Sequence, residues 1–346
     1  MSDMTTPGVR LTTVPFRARD GFELNVLHAE GDKPPTKGPV LLVHGAGVRA
    51  NLFLAPVEKN FVQYLLENGY DVWLENWRAS IDFAPNEWNL DKAAANDHPE
   101  AVKTVVEQTG AKEIKAVIHC QGSTSFMMSA LAGLVPQVTT IVTNAVSLHP
   151  VVPLWSFGKM GMTLPLLHVM TDYLNPHWGV EAPTIAAKLV TLLVNLTHHE
   201  CNNAVCKQVS FTYGAGFPAL WRHEQIDEGT HEWIKEEFGA VPLTFFDQIN
   251  ACVKHGNLIS LGDEPSLPKD FAAQPPQTDA RFSFFEGTLN RCFLPISQQK
   301  SFDWFDKQRP NYHTLHMLEG YSHLDPFIGK NAIRDSYPLM LAELDQ

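Results

Sequence analysis

The sequence predicts an α/β protein, a mostly parallel sheet flanked by helices and interrupted by a large helical insertion. Three observations carry this. Strand-like and helix-like stretches alternate from residue 40 to residue 146. The alternation stops between 149 and 279, where prolines and aromatics accumulate around helical stretches, and it resumes from 281 onwards. Alternating strands and helices pack as a parallel sheet covered on both faces, and an insertion that breaks the pattern folds outside that sheet.

The elements follow in order. Residues 9–30 alternate apolar and polar about Asp20-Gly21, which predicts an opening hairpin. The apolar run 40–43 leads into His44-Gly45-Ala46-Gly47, a buried strand ending in a glycine-rich loop. Residues 60–68 read as a helix closed by Gly69, and 71–74 as the next strand. Residues 90–109 have helical spacing, with Pro99 marking a start or kink. A strand at 114–119, a helix at 123–134 and a strand at 138–146 complete the first half. After the insertion come a strand at 281–286, a helix at 300–308, a strand at 314–318 and a helix at 331–344. The expected organisation is a core of residues 1–148 and 280–346 with a helical cap of residues 149–279.

Composition narrows the function classes. With 346 residues, 44% of them hydrophobic, the chain can bury a sizeable core. A net charge of −12 argues against nucleic acid or an anionic membrane surface as partner. There is no run of 18 apolar residues, so no integral membrane segment is expected. Residues 1–10 are polar and show no signal-peptide pattern, and the five cysteines are an odd, sparse set; both point to reduced thiols in the cytoplasm. Cys201 and Cys206 offer two possible metal ligands, but no further cysteine or close histidine pair stands in ligand spacing, so no metal is expected. Neither a dinucleotide fingerprint nor a phosphate loop is present, and no cofactor is expected. Oligomeric state is not legible.

The chemistry concentrates at Ala116-Val117-Ile118-His119-Cys120-Gln121-Gly122-Ser123. An apolar strand ends in a tight turn and a small-residue helix begins at once, the context of a nucleophile elbow in the α/β-hydrolase fold. Cys120 occupies the nucleophile position, Gly122 the second glycine position, and Ile118 stands where a first glycine is usual. The helix N-terminus behind Cys120 favours a thiolate. Ser123 is a rival nucleophile but falls too late in the turn, and a buried structural thiol is the plain alternative for Cys120.

Residues 117–124 resemble the elbow of the acid lipases of gastric and lysosomal type, with isoleucine for glycine and cysteine for serine. The stretches Gly69 to Arg78 and Tyr321 to Asp325 are similar to that family's strand and loop before the elbow and to its catalytic-histidine loop. A closer resemblance, through nearly the whole chain, is to the hydrolase segment associated with bacterial cholesterol-oxidase-like proteins. It rests on His119 to Ser123, Asn290 to Pro295, Gly320 to His323 and Gly329 to Ala332.

In this fold the chain order is nucleophile, acid, histidine. His323 follows the last strand and precedes the last helix, which makes it the candidate base. The backbone N–H groups of Ala46 and Gln121 are the expected oxyanion hole. His44 and His119 read as braces for their loops. The acid is expected in the loop after residues 281–286, where Asn290 stands. An asparagine oxygen can accept the imidazole Nδ1–H and set the tautomer without supplying charge, which a thiol nucleophile tolerates. The alternative acids are Asp247, Asp263, Glu286 and Asp325.

Three functions follow. The first is hydrolysis of carboxylic esters or thioesters through an acyl-cysteine, on a lipophilic small-molecule substrate suggested by the apolar stretches 155–174 and 185–196. The second is acyl transfer through the same intermediate, as in polyhydroxyalkanoate synthases, which carry a cysteine elbow. The third is a non-catalytic binding protein.

Overall fold

The computed structural model describes residues 6–214, 218–262 and 264–346. Among the described residues there are ten strands: β1 (Arg10–Arg17), β2 (Glu23–Glu30), β3 (Pro39–Val43), β4 (Asp71–Asn76), β5 (Ile114–His119), β6 (Val138–Asn144), β7 (Tyr173–Leu174), β8 (Val241–Pro242), β9 (Arg281–Gly287) and β10 (Thr314–Leu318). Eight of them form one sheet in the order β1-β2-β4-β3-β5-β6-β9-β10. β1 and β2 pair antiparallel, as the opening alternation predicts, β2 joins β4 antiparallel, and every other pairing is parallel. β7 and β8 make a small antiparallel pair within the inserted stretch.

Burial explains the central order. β3 is buried at all five positions and β5 at all but Lys115, the signature of strands covered on both faces. Local signals set the helix ends. Asn60 and Gln63 form a reciprocal capping box at 3.0 Å each, and Gly69 closes that helix at φ +86°.

Some boundaries differ from the sequence expectation. Residues 90–109 are not one helix: Leu90–Lys92 passes through a π-helical stretch, Ala93–Asp97, before His98–Thr109. The interruption seats the fully buried Asp97, which takes the Arg78 guanidinium and the Arg78 N–H. The helix after the elbow begins at Cys120, earlier than expected, and ends at Leu131. The C-terminal helix is broken into Ala332–Asp335 and Tyr337–Leu344, with Pro338 in the first turn of the second piece.

The inserted stretch is mainly helical: Leu154–Met170, Ile185–Thr197, Ala204–Tyr213, Glu228–Trp233 and Leu243–His255 are its longer helices. Several of its side chains, Phe245 and Phe246 among them, share a cavity with Cys120 and Gln121 just beyond the end of β5. Among the described residues no helix is long and apolar enough to cross a membrane.

Candidate active site

Cys120 stands between β5 and helix Cys120–Leu131 at φ +57°, a left-handed conformation rare for a residue with a Cβ. Two glycines let the elbow and the loop after β3 close on each other. A Cβ on Gly122 would lie 2.0 Å from the His44 carbonyl oxygen, so that position must be glycine. A Cβ on Gly45 would lie 2.8 Å from the Cys120 Cβ and 3.1 Å from its Sγ. Ile118, by contrast, is fully buried on β5 and needs no glycine. Ser123 points away from the turn, and its hydroxyl is bonded to that of Thr143 on β6.

Burial pushes the Cys120 thiol up to about 12, while the backbone N–H groups of Gln121 and Ala46 both act on it in the opposite direction. Those two donors come from the elbow helix and from the loop after β3, the places from which an oxyanion hole draws its N–H groups in this architecture. The Tyr213 hydroxyl donates to the Ala46 carbonyl at 3.2 Å and braces the loop from the inserted side. His44 turns its ring onto its own loop, with Nδ1 2.7 Å from the Gly45 oxygen, and Trp77 donates to the His44 carbonyl at 2.9 Å.

His323 is buried beside Cys120: ring nitrogens of His119 and His323 and the Cys120 Sγ all lie within 4.8 Å of one another. No Cys120–His323 hydrogen bond is formed, and burial pushes the imidazole down to about 3, so thiol and imidazole are both neutral. Nε2 of His323 has no hydrogen-bond partner. Asn144, a residue that sequence reasoning missed, fixes the surroundings by donating to the His323 carbonyl at 3.0 Å and to His119 Nδ1 at 2.9 Å.

Asn290 does reach Nδ1 of His323, but through its amide nitrogen, at 3.1 Å. The expectation was that its oxygen would accept from Nδ1–H. The reversal has a local cause. The Asn290 oxygen is taken by the Cys292 N–H at 2.9 Å, and the amide nitrogen is drawn to Glu286 Oε1 at 2.7 Å. A neutral imidazole that accepts at Nδ1 carries its proton on Nε2. Glu286, fully buried, is pushed up to about 8 by desolvation and is the far end of a chain running Glu286, Asn290, His323.

The other acids stand elsewhere. Asp247 pairs with His168 at 2.9 Å on the inserted helices. Asp325 accepts the Ser322 N–H at 2.7 Å and the Arg222 N–H at 3.1 Å, and so ties the histidine loop to the insertion. Asp263 lies outside the described residues.

A small cavity of about 50 Å³ opens at Cys120 and Gln121. Its walls are largely apolar, with Val152, Met160, Phe245, Phe246, Ile249 and Phe293 among them. Among the described lining residues Lys159 is the one lysine or arginine: its ammonium donates to the carbonyls of Phe211 and Gly214, and burial pushes it down to about 8.

A buried Ser–His–Glu arrangement also lies beneath the elbow. His98 Nε2 is 2.8 Å from Ser125 Oγ and its Nδ1 is 2.9 Å from Glu75 Oε1, all three side chains fully buried. None of them lines the cavity, so they tie β4, helix His98–Thr109 and the elbow helix together instead of meeting a substrate.

Among the described residues two groups bring metal-ligating atoms together within 4.8 Å: His119, Cys120 and His323, and Cys201, Cys206, His223 and His231. The second corrects the expectation that Cys201 and Cys206 lack histidine partners. The fold supplies both.

No family model matches the chain. The chain is 24% identical over 143 residues to sterol esterase 2 of Saccharomyces cerevisiae, covering 36% of this chain and 27% of that protein. It is 31% identical over 123 residues to human lipase member K, covering 31% of each. The chain thus spans only about three-tenths of the length of the curated relatives it matches. Solved structures match over nearly all of it: an epoxide hydrolase from Vigna radiata (TM-score 0.56, 14% identity, 99% of both chains) and a bromoperoxidase from Bacillus anthracis (0.56, 11%, 97% of this chain and 100% of that one). The fold is that of the α/β hydrolases, as the elbow predicts.

Proposed function

We propose that the chain hydrolyses carboxylic esters of a lipophilic substrate through an acyl-cysteine formed on Cys120. One observation carries the reading: Cys120 sits in the left-handed elbow with the N–H groups of Ala46 and Gln121 converging on its sulfur. The partial similarity to a sterol esterase and to a lipase supports an ester substrate. The resemblance to the hydrolase segment of cholesterol-oxidase-like proteins is in keeping with a lipophilic one. So are the cap helices, residues 149–279, which expose Leu154, Trp155, Met162, Leu166 and Val169 on one helix and Ile185, Leu189, Leu192 and Leu196 on another.

In this mechanism the Cys120 thiol proton passes to His323 Nε2 as sulfur bonds to the acyl carbon. The carbonyl oxygen, now an anion, is held by Ala46 and Gln121 N–H. Collapse breaks the acyl–oxygen bond, and His323 returns the proton to the departing alcohol. Water then attacks the thioester, yields its proton to His323, and the acid leaves as Cys120 regains its proton. The first step requires His323 with its proton on Nδ1. That tautomer needs the Asn290 amide turned over, so that its oxygen accepts from Nδ1–H. Protonated Glu286 then donates to the same oxygen, and the Cys292 N–H loses its acceptor. One buried donor left unpaired costs about 1–3 kcal/mol. The resting site is therefore held short of its working form, and turnover is slow unless the substrate repays that cost.

Acyl transfer to an alcohol is the second reading, supported by the apolar cavity walls, which disfavour water as the acceptor. The test is intact-mass analysis after incubation with p-nitrophenyl esters of graded chain length and with acyl thioesters, with and without an added alcohol. An acyl adduct mapped to Cys120 is expected. Wild-type turnover by Cys120→Ala would exclude the cysteine mechanism.

A further inference from the structure

We infer that Cys201, Cys206, His223 and His231 bind one zinc ion as a closed, four-coordinate structural site within the inserted helices. The inference is independent of the chemistry at Cys120. The four ligand atoms lie within 4.8 Å of one another. Cys206 Sγ is 3.6 Å from His223 Nε2, and Cys201 Sγ is 4.0 Å from His231 Nε2. Around a tetrahedral zinc with bonds of about 2.0–2.3 Å, ligand atoms sit roughly 3.3–3.8 Å apart, so the two Cys–His pairs are already near that spacing and a contraction of at most about 1 Å closes the rest of the set.

The ligands come from separate pieces of chain held together without help from a metal. Cys201 lies in the turn before helix Ala204–Tyr213, Cys206 in its first turn, His223 in the following loop, and His231 on helix Glu228–Trp233. Asn203 fastens these pieces: its oxygen accepts the Cys206 N–H at 3.0 Å, and its amide nitrogen donates to the His231 carbonyl at 2.9 Å. Such support around the ligands is what orients a metal site. The two imidazoles pack edge to face at 4.8 Å, which leaves both Nε2 atoms aimed at the thiols.

Two thiolates and two neutral imidazoles suit zinc in chemistry and in charge. Binding releases the two thiol protons, and two thiolates balance the 2+ ion, so the closed site adds no net charge to the protein. All four positions are protein ligands. With no place for a reacting water, the site is structural.

Its position gives it a task. Helix Ala204–Tyr213 carries Cys206 at one end and Tyr213 at the other, and Tyr213 is the residue that braces Ala46. A metal at the first end anchors the helix that bears on the oxyanion loop at the second.

The experiment is metal analysis of the full chain, expressed with added Zn²⁺ and purified in reductant, by native mass spectrometry and elemental analysis. One zinc per chain is expected. Exchange with Co²⁺ should give the visible bands of tetrahedral cobalt and a thiolate-to-cobalt charge-transfer band. Cys206→Ser and His231→Ala should each lose at least nine-tenths of the zinc, while Cys120→Ser keeps it. Should Cys206→Ser fail to fold, the wild-type stoichiometry and His231→Ala still decide. A wild-type chain with no zinc, zinc lost in Cys120→Ser, or a Cys201–Cys206 disulfide in the reduced preparation would overturn the site. None of these readouts uses substrate, so they stand whether or not the esterase reading fails.

Discussion

Asn290 faces His323 with its amide nitrogen, 3.1 Å from Nδ1, because the Cys292 N–H holds its oxygen. The proton of the neutral ring is thereby kept on Nε2, toward Cys120. Replacing Asn290 with aspartate removes the Nδ2 donor and puts an oxygen at Nδ1, which selects the working tautomer and adds charge stabilisation. Asn290→Asp is expected to raise kcat about 10- to 100-fold, less than the roughly 10⁴-fold that separates these residues in a serine protease, because a thiol asks less of its base. Steady-state kinetics on a short activated ester check this, and a slower variant would count against the tautomer argument.

A buried thiol without an ion-paired histidine should alkylate slowly. With Cys120 pushed up to about 12, only roughly one thiol in 10⁴–10⁵ is ionised near neutrality. The rate of iodoacetamide labelling at Cys120, followed by peptide mapping, should climb about tenfold per pH unit from pH 7 to pH 10. A plateau near neutral pH would reveal a resting thiolate–imidazolium pair instead. Cys120→Ala should abolish turnover, and His323→Ala should reduce it roughly 10²–10⁴-fold.

How much of this was legible in the sequence depended on distance along the chain. The elbow was legible because strand, turn and helix are contiguous from Ile114 to Leu131, and His323 because it follows the last strand. The placement of Asn290 was legible as well. Its polarity was not, since that rests on Glu286 and the Cys292 N–H, which only the folded loop brings to the same amide. His223 and His231 lie 17 and 25 positions beyond Cys206, outside the short spacings that mark zinc ligands, so only packing joins them to the cysteines. Asn144 and Tyr213 carry no motif at all; their roles come from hydrogen bonds across the sheet and across the insertion.

Glu286 makes stability depend on pH. Its folded value, about 8, is raised above that of an exposed carboxylate, so the native state holds a proton that the unfolded chain has lost. The stabilisation is complete below about pH 4.5 and is lost as pH rises toward 8. Glu286→Gln keeps a neutral side chain of the same shape and should flatten this loss, on the order of 3 kcal/mol across the window. Asp325, raised to about 7, adds a similar slope that the variant leaves in place. Melting temperatures of both proteins at pH 5 and pH 8 supply the comparison; identical pH dependence would show that Glu286 is charged in the fold.

The exposed apolar helices offer the last test of a water-insoluble substrate. Leu166 and Val169 are 61% and 85% exposed on helix Leu154–Met170, and Leu189 and Leu192 are 52% and 57% exposed on helix Ile185–Thr197. Helix Ile185–Thr197 already buries Ala186, Ala187, Val190 and Val194 on its inner side, so its outer leucines are not needed for the core. Surface changes away from packed features typically alter stability by less than about 0.5 kcal/mol. Leu166→Gln with Leu189→Gln should therefore leave the melting temperature and the hydrolysis of a short soluble ester unchanged. Hydrolysis of an emulsified long-chain ester should fall about tenfold or more, because each lost leucine removes on the order of 1–2 kcal/mol of apolar contact with the substrate phase. Equal rates on the emulsion would mean that these faces do not meet the substrate, and the lipophilic reading would then rest on the cavity walls alone.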